Sequence, residues 1–187
     1  MGPAGSEVWH SMLDGTETVL REEGYGALTS RRVAEVIGVK QRLIYYYFEN
    51  MEDLIVATFR RSAARDIERL QESLSRDLPL DEIWERCVDN ADARMTAEFV
   101  ALANRIDKLR TEVIAYTERT RQMLADAIDR NVVSSDRANG LPPVAAAFFA
   151  TSAAIALHRE AALGIGMGHA EVLACIRVFF SHGKPAQ

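Results

Sequence analysis

The sequence predicts an all-α protein of about nine helices, and three observations carry that expectation. Apolar residues recur at three- and four-residue spacing along almost the whole chain, the repeat of one buried helical face. No stretch alternates apolar and polar residues well enough for a strand. The short β-branched pieces EVIAY and IRVFF are embedded in helical periodicity. With 48% hydrophobic residues and five prolines in 187, the chain can bury a sizeable core and is not disordered by composition.

The elements follow in order. Between Ser6 and Glu23, Val8, Trp9, Met12, Leu13, Val19 and Leu20 mark the buried face of a first helix. Gly15 lies inside it, at a cost of about 1 kcal/mol relative to alanine, which suggests the close approach of another helix. Gly24 stops it. Thr29 suits the N-cap of a second helix carrying Val33, Ala34 and Ile37, which Gly38 ends. A third short helix has Ile44 and Phe48 as its buried pair. Asn50, with Asp53 three residues on, opens a longer fourth helix through Leu54, Ile55, Phe59, Ile67 and Leu70. Further helices are expected over 81–94, 95–108, 110–133, 143–163 and 169–181. The breaks are DLP, a weak join near Arg94, Lys108–Thr111, SSDRANGLPP and GIGMG.

Charge is segregated along the chain. Leu28–Asn50 holds Arg31, Arg32, Lys40 and Arg42 against Glu35 and Glu49, a local balance of +2. The whole chain carries −5, so the remainder carries −7. A protein basic all over is excluded, but a local nucleic-acid face is not. Cys87 and Cys175 lie far apart in apolar helical contexts and read as buried free thiols of a reducing compartment. The four histidines have no ligand spacing, so no metal site and no cofactor are expected. The start MGPAGSEVWHSM has no basic region followed by an apolar run, so it does not read as a secretory signal. VAAAFFATSAAIALH is too short to span a bilayer. The expectation is a cytoplasmic protein with no membrane partner.

Ala34, Gly38 and Ile44 impose a particular geometry. A small residue in one short helix admits a second helix closely, and glycine supplies the positive φ of a tight turn. Val39 and Ile44 then fasten the second helix to the first. The result is a helix-turn-helix whose second helix exposes Lys40, Gln41, Arg42, Leu43 and Tyr45 near its N-terminal end, the end such motifs insert into the major groove. Glutamine can bond an adenine edge, arginine a guanine edge, and tyrosine a phosphate. A lone basic helix would more simply be a solvated face. The whole constellation of Gly24-Tyr25, Thr29, Ala34, Gly38-Val39, Tyr45 and Phe48-Glu49-Asn50 favours the DNA-reading alternative.

With those residues in place, the run GYGALTSRRVAEVIGVKQRLIYYYFENMEDLI resembles the DNA-binding domain of the tetracycline-repressor (TetR) family of bacterial transcription regulators, over residues 8–60. The resemblance implies that residues 1–50 form a three-helix DNA-binding domain. Residues 51–187 would form a helical-bundle ligand-binding and dimerisation domain, connected by the helix from about residue 51. Ser30 and Arg31 would contact phosphate, with a base also within their reach. Lys40, Gln41, Arg42 and Leu43 would face the major groove, and Tyr45 and Tyr47 would hold backbone phosphate. Val33, Ile37, Ile44 and Phe48 would be structural. The chain departs from the pattern at Glu49 and Met51, where much of the family has lysines flanking the asparagine. The second of those lysines usually holds a phosphate, so modest rather than very tight operator affinity is expected, with the backbone N–H groups of the helix end left for that phosphate.

In the remaining two-thirds, Trp84, Asn90, Met95, Phe99, Leu102, Asn104, Ile106, Tyr116, Thr120 and Met123 suit either an ordinary bundle core or the lining of a cavity. The resemblance implies a cavity for a small, largely apolar effector that releases DNA. The alanine-rich PPVAAAFFATSAAIALHREAALG is apolar almost all round. With AEVLACIRVFF it suits either the interior of one monomer or a four-helix homodimer interface, and the resemblance favours the dimer. Phe148, Phe149, Ser152, Ile155, Leu163, Val172, Ile176 and Phe179 are the candidate interface residues. Paired recognition helices about 34–36 Å apart would then read a palindromic operator. Catalysis is not expected, because GIGMGH follows a helix and lacks the Lys-Ser/Thr of a phosphate loop, and no local pattern marks a nucleophile. The alternative is a helical adaptor of the same fold that does not bind DNA, against which Arg31, Gln41, Arg42 and Tyr45 argue. Repressor and activator are not distinguished by these residues; the resemblance implies a repressor.

Overall fold

The structure, a computed structural model, describes residues 2–75, 84, 93–131 and 141–181. Among these, eight α-helices and two short 3-10 turns account for the regular structure, and no strand occurs. They are α1 (Glu7–Glu22), α2 (Ser30–Val36), α3 (Ile44–Tyr47), α4 (Met51–Ser75), α5 (Ala93–Ala103), α6 (Asp107–Asn131), α7 (Pro143–Ala162) and α8 (His169–Ser181). The 3-10 turns are Tyr25–Ala27 and Gln41–Leu43. The expected helix over 81–94 lies outside the described residues except for Trp84 and its last two positions, as do Cys87, Asn90 and the whole SSDRANG stretch.

The N-terminal elements form where the caps predict. Ser6 accepts the Trp9 N–H at the start of α1, Thr29 accepts the Arg32 N–H at the start of α2, and Asn50 Oδ1 accepts the Asp53 N–H at the start of α4. Gly15 answers the question its position raises. A Cβ placed there would come within 2.5 Å of Ile37 Cγ2, so glycine is the notch through which α2 crosses α1.

One boundary differs from expectation. The break predicted at Lys108–Thr111 falls instead at Asn104–Ile106, so α5 ends at Ala103 and α6 starts at Asp107 rather than at residue 110. The reason lies in the hydrogen bonds. The N–H groups of Arg105 and Ile106 both turn back to the Leu102 carbonyl, at 2.9 and 3.0 Å. The Arg110 guanidinium then donates to the carbonyls of Ala103 and Asn104, at 3.0 and 3.1 Å, covering the end of α5 from the first turns of the next helix. Arg94 is the second residue of α5, and residues 85–92 before that helix lie outside the described residues.

The chain compacts into two units, residues 1–65 with 94–116 and residues 66–93 with 117–187. This division does not follow the expected boundary at residue 50. In the first unit Met12, Leu13, Val19 and Leu20 of α1 pack with Val33, Ala34 and Ile44. Leu54, Ile55, Val56 and Phe59 of α4, and Met95, Phe99, Leu102, Ile106 and Leu109, complete the same core. Phe59 meets Phe99 edge to face at 5.1 Å and Tyr116 at 5.8 Å. Thr16 and Thr58 are wholly buried, and each satisfies its hydroxyl on the carbonyl four residues back, at 2.8 Å.

The second unit is built on Trp84, Ala125, Ile128, Ala146, Ala147, Ala150 and Leu157, with Leu173 and Ile176 against them. Trp84 Nε1 donates to the Ala150 carbonyl at 3.3 Å. Ala146, Ala147, Ala150 and Ala154 of α7 are buried, and its two phenylalanines are exposed. Cys175 corrects the buried-thiol expectation: Leu173 and Ile176 take the inward positions of α8, and Cys175 between them is exposed and free.

Candidate nucleic-acid interface

The surface is set by how α2 hands over to the next element. Gly38 has φ +70°, and the Val39 N–H donates to the Ala34 carbonyl at 2.9 Å, closing the turn over the small residue. The chain then enters the 3-10 turn Gln41–Leu43 and passes directly into α3. The recognition element is therefore a tight turn plus one turn of α-helix. It is pinned from below by Ile44, which is fully buried, and by Phe48.

Of the residues expected to meet DNA, Arg31, Lys40, Gln41, Arg42 and Tyr45 are exposed together on this element and the start of α2. Ser30 is not: it is 5% exposed, and its Oγ accepts from Gln41 Nε2 at 2.8 Å and lies 3.0 Å from Tyr45 Oη. Leu43 is half-buried and packs on the core instead of standing clear of it. Tyr47 likewise lies half-buried against the core, while Tyr46, which the sequence reading passed over, is 53% exposed. The three consecutive tyrosines hid this difference, because helical spacing does not say which of them clears the domain surface.

The four basic residues also divide. Arg32 turns back to Glu23, with Nε 3.0 Å from both carboxylate oxygens and Nη2 2.8 Å from one. That hydrogen-bonded pairing, with Glu35 adding to it, holds the Arg32 guanidinium above the ordinary arginine range. Arg31 Nε donates to Glu35 at 3.0 Å from a side chain that remains 80% exposed, so that bond is easily exchanged for a phosphate.

At the start of α4, Met51 packs half-buried on the core and Glu49 is exposed. A lysine nevertheless stands nearby: Lys108, from the first turn of α6, places Nζ 2.9 Å from Asp53 Oδ1. Its hydrogen bond to Asp53, with the field of that carboxylate and then of Glu49 and Glu52, holds the ammonium above its ordinary value.

The candidate ligand-binding residues are not all brought together. Met95, Phe99, Leu102 and Ile106 are buried in the core of the first unit, and Tyr116 flanks them. Asn104 is exposed in the α5–α6 turn. Trp84 belongs to the core of the second unit, where Thr120 and Met123 are half-buried. Sequence reading also missed Arg121, whose guanidinium stands 4.8 Å over the Phe148 ring. Among the candidate interface residues, Phe148, Phe149, Ser152, Ile155, Leu163 and Val172 are exposed. Ile176 packs partly on the core of its unit, and the Phe179 side chain lies outside the described residues.

Residues 12–58, which span α1 through the first part of α4, match the family model described as bacterial regulatory proteins, tetR family. The match covers this segment and not the rest of the chain. Two curated relatives agree. The fatty acid metabolism regulator protein of Bacillus subtilis is 32% identical over 63 residues, covering 34% of this chain and 32% of that protein. The HTH-type transcriptional repressor AcnR of Corynebacterium diphtheriae is 34% identical over 62 residues, a third of each chain. The chain thus matches about a third of the length of these curated relatives, and the matched third is the tetR-family domain. Solved structures extend the likeness in fold over nearly the whole chain. NemR of Escherichia coli in its reduced form superposes with TM-score 0.77 at 14% identity, covering 96% of this chain and all of that one. A TetR transcription regulator from Haloarcula marismortui gives 0.71 at 18%, over 93% and 96%. A protein of Saccharomonospora viridis in complex with choline gives 0.76 at 16%, over 94% and 96%. The architecture beyond the tetR-family domain is accordingly that of the same all-helical fold, an N-terminal helix-turn-helix domain followed by a helical C-terminal domain.

Proposed function

We propose that this chain is a sequence-specific DNA-binding transcriptional regulator, a repressor released from a palindromic operator by a small, largely apolar effector. The observation that carries the reading is the exposed set Lys40, Gln41 and Arg42 on the tight turn into α3, within a domain that matches the tetR family. Arg42 and Gln41 supply base-edge chemistry, while Arg31, Tyr45 and Tyr46 supply phosphate chemistry. In this reading residues 1–50 read DNA, and residues 51–187 bind the effector and the second protomer.

Repression is supported by AcnR, which is named a repressor, and a small-molecule effector by the choline held in the Saccharomonospora viridis protein. A homodimer is supported by Phe148, Phe149, Ile155 and Leu163, large apolar side chains left exposed on and just after α7. The protein would work in the cytoplasm, where its operator is; no helix among the described residues is long and apolar enough to cross a membrane. Release by effector is a population shift: the effector must prefer the form that cannot bind the operator by a few kcal/mol.

The test is a binding selection from random duplexes. The expected outcome is an enriched palindrome for the native chain and a changed base preference for Arg42→Ala. An unchanged preference removes the base-reading role of Arg42. No enrichment at all by the folded protein at low salt replaces the regulator with the adaptor reading.

A further inference from the structure

The hydroxyl of Ser30 sits where it cannot act as the family resemblance implies. It is 5% exposed at the first position of α2, and two neighbours already engage it: Gln41 Nε2 at 2.8 Å and Tyr45 Oη at 3.0 Å. Both neighbours are exposed, on the element that would enter the groove. We propose that Ser30 is a positioning residue for operator recognition, which holds Gln41 and Tyr45 in the orientations DNA requires and touches no DNA itself. The inference rests on the DNA-binding reading above and deepens it.

Hydrogen-bond directions follow from the groups' chemistry. A serine hydroxyl has one proton to give and two lone pairs to receive. Gln41 has only N–H to offer from Nε2, so Ser30 is the acceptor there. When Tyr45 gives its own proton to a phosphate oxygen, Ser30 must donate to Tyr45 Oη. The chain then runs in one direction, from the Gln41 amide through the Ser30 hydroxyl to the Tyr45 hydroxyl and outward to phosphate. Bonds aligned in this way polarise one another.

The same bond decides what Gln41 can read. One of its two N–H donors is committed to Ser30, which leaves Oε1 and the other N–H to face a base. That remaining acceptor and donor form the pair an adenine edge accepts. A free glutamine side chain samples many rotamers; this one is held by a bond on a buried anchor, so less freedom is lost on binding. Ser30 therefore acts on which base is preferred as well as on how tightly DNA is held.

A phosphate contact and a positioning role make different predictions for Ser30→Ala. A serine that touched phosphate would weaken all sequences alike and leave the preference unchanged. A positioning serine relaxes the preference at the base pair read by Gln41, with a loss of about threefold to tenfold on the best site, the scale of one newly mobile side chain. The experiment is the binding selection repeated with Ser30→Ala, Gln41→Ala and the double variant, followed by titration of the selected duplex. Circular dichroism melts select the variants that remain folded, and Ser30→Thr, which keeps the hydroxyl, serves in addition.

Expected are a relaxed preference at one position in each half-site and retention of the preference by Ser30→Thr. Little further loss should follow when Ser30→Ala is added to Gln41→Ala. A uniform loss, or fully additive effects of the two alanines, overturns the proposal. If Ser30→Ala does not fold, unchanged preference in Ser30→Gly, which also lacks the hydroxyl, overturns it equally. Failure of the native chain to enrich any sequence sinks the regulator reading instead, so the two outcomes are distinguishable.

Discussion

Arg61 of α4 donates through Nη2 to Glu17 of α1 at 2.8 Å, and the two side chains are only 15% and 10% exposed. Arg65 reaches the same carboxylate, and Arg61 also bridges to Asp14 at 2.7 Å and to the His10 carbonyl. Breaking a buried pair from one side leaves the other charge without its partner, at a cost of about 3 kcal/mol. Glu17→Ala removes the carboxylate that both arginines share, leaving Arg61 only Asp14 and the His10 carbonyl, and is expected to destabilise by up to about that amount in urea unfolding. Arg61→Ala leaves Glu17 with Arg65 and should cost distinctly less. The reverse order would mean that the network does not tie α1 to α4.

Gly15→Ala sets two effects against each other. Helix propensity favours alanine by about 1 kcal/mol, while the added carbon meets Ile37 Cγ2 at 2.5 Å, and overpacking of this kind costs about 1–3 kcal/mol. The neighbour is a branched side chain at the end of α2, not a flexible tip, so the clash is expected to win and the melting temperature to fall. Trimming the neighbour in a Gly15→Ala, Ile37→Ala double variant should show coupling, with less loss than the sum of the two single changes.

Met51→Lys restores a lysine beside Asn50, where the chain departs from the family pattern. Operator affinity should rise, most at low salt, and the slope of log K against log salt should steepen by about 0.9 per added phosphate contact. Base preference should not change, since a phosphate contact carries no sequence information. Titration at several salt concentrations measures both, and an unchanged slope would show that this helix end does not approach phosphate.

Lys108 offers a titration test. Its partner Asp53 raises its pKa above the ordinary 10.5, so the charged pairing persists through neutral pH and is lost only as pH climbs past that raised value. In lysine-labelled protein the Lys108 midpoint should lie above 10.5 and return toward it in Asp53→Asn. A midpoint unmoved by Asp53→Asn would dissolve the pairing.

Phe149 is 57% exposed and Ile155 44% exposed on α7, so replacing both by glutamate disturbs little in one protomer. Equilibrium sedimentation is expected to show a dimer for the native chain and a monomer with unchanged helical circular dichroism for the double variant. A native monomer would remove the palindrome argument with it.

Much of the N-terminal architecture was legible because each signal is local. Ser6, Thr29 and Asn50 cap helices through atoms three residues away, and Gly38 turns because of its own φ. The α5–α6 break was misplaced because its cause is a side chain seven residues on: Arg110 closes the end of α5, and nothing in the run from Asn104 to Thr111 announces that bond. Exposure within the recognition element was illegible for a similar reason. Tyr45, Tyr46 and Tyr47 are chemically identical, and only packing against the core separates the last from the first two. The candidate ligand residues were chosen by size and polarity, and those properties are shared by any bundle core; Met95, Phe99, Leu102 and Ile106 indeed fill the core beneath the helix-turn-helix.

The concealment of Ser30 beneath Gln41 and Tyr45 bears on how such proteins diverge. If Ser30 acts as proposed, a lineage can shift its base preference through a residue that does not meet its target, leaving every surface letter of the reading element as it was. Paralogues grouped by those surface letters alone would then be assigned the same binding sites in error. Position 30 belongs in the comparison beside positions 40 to 45.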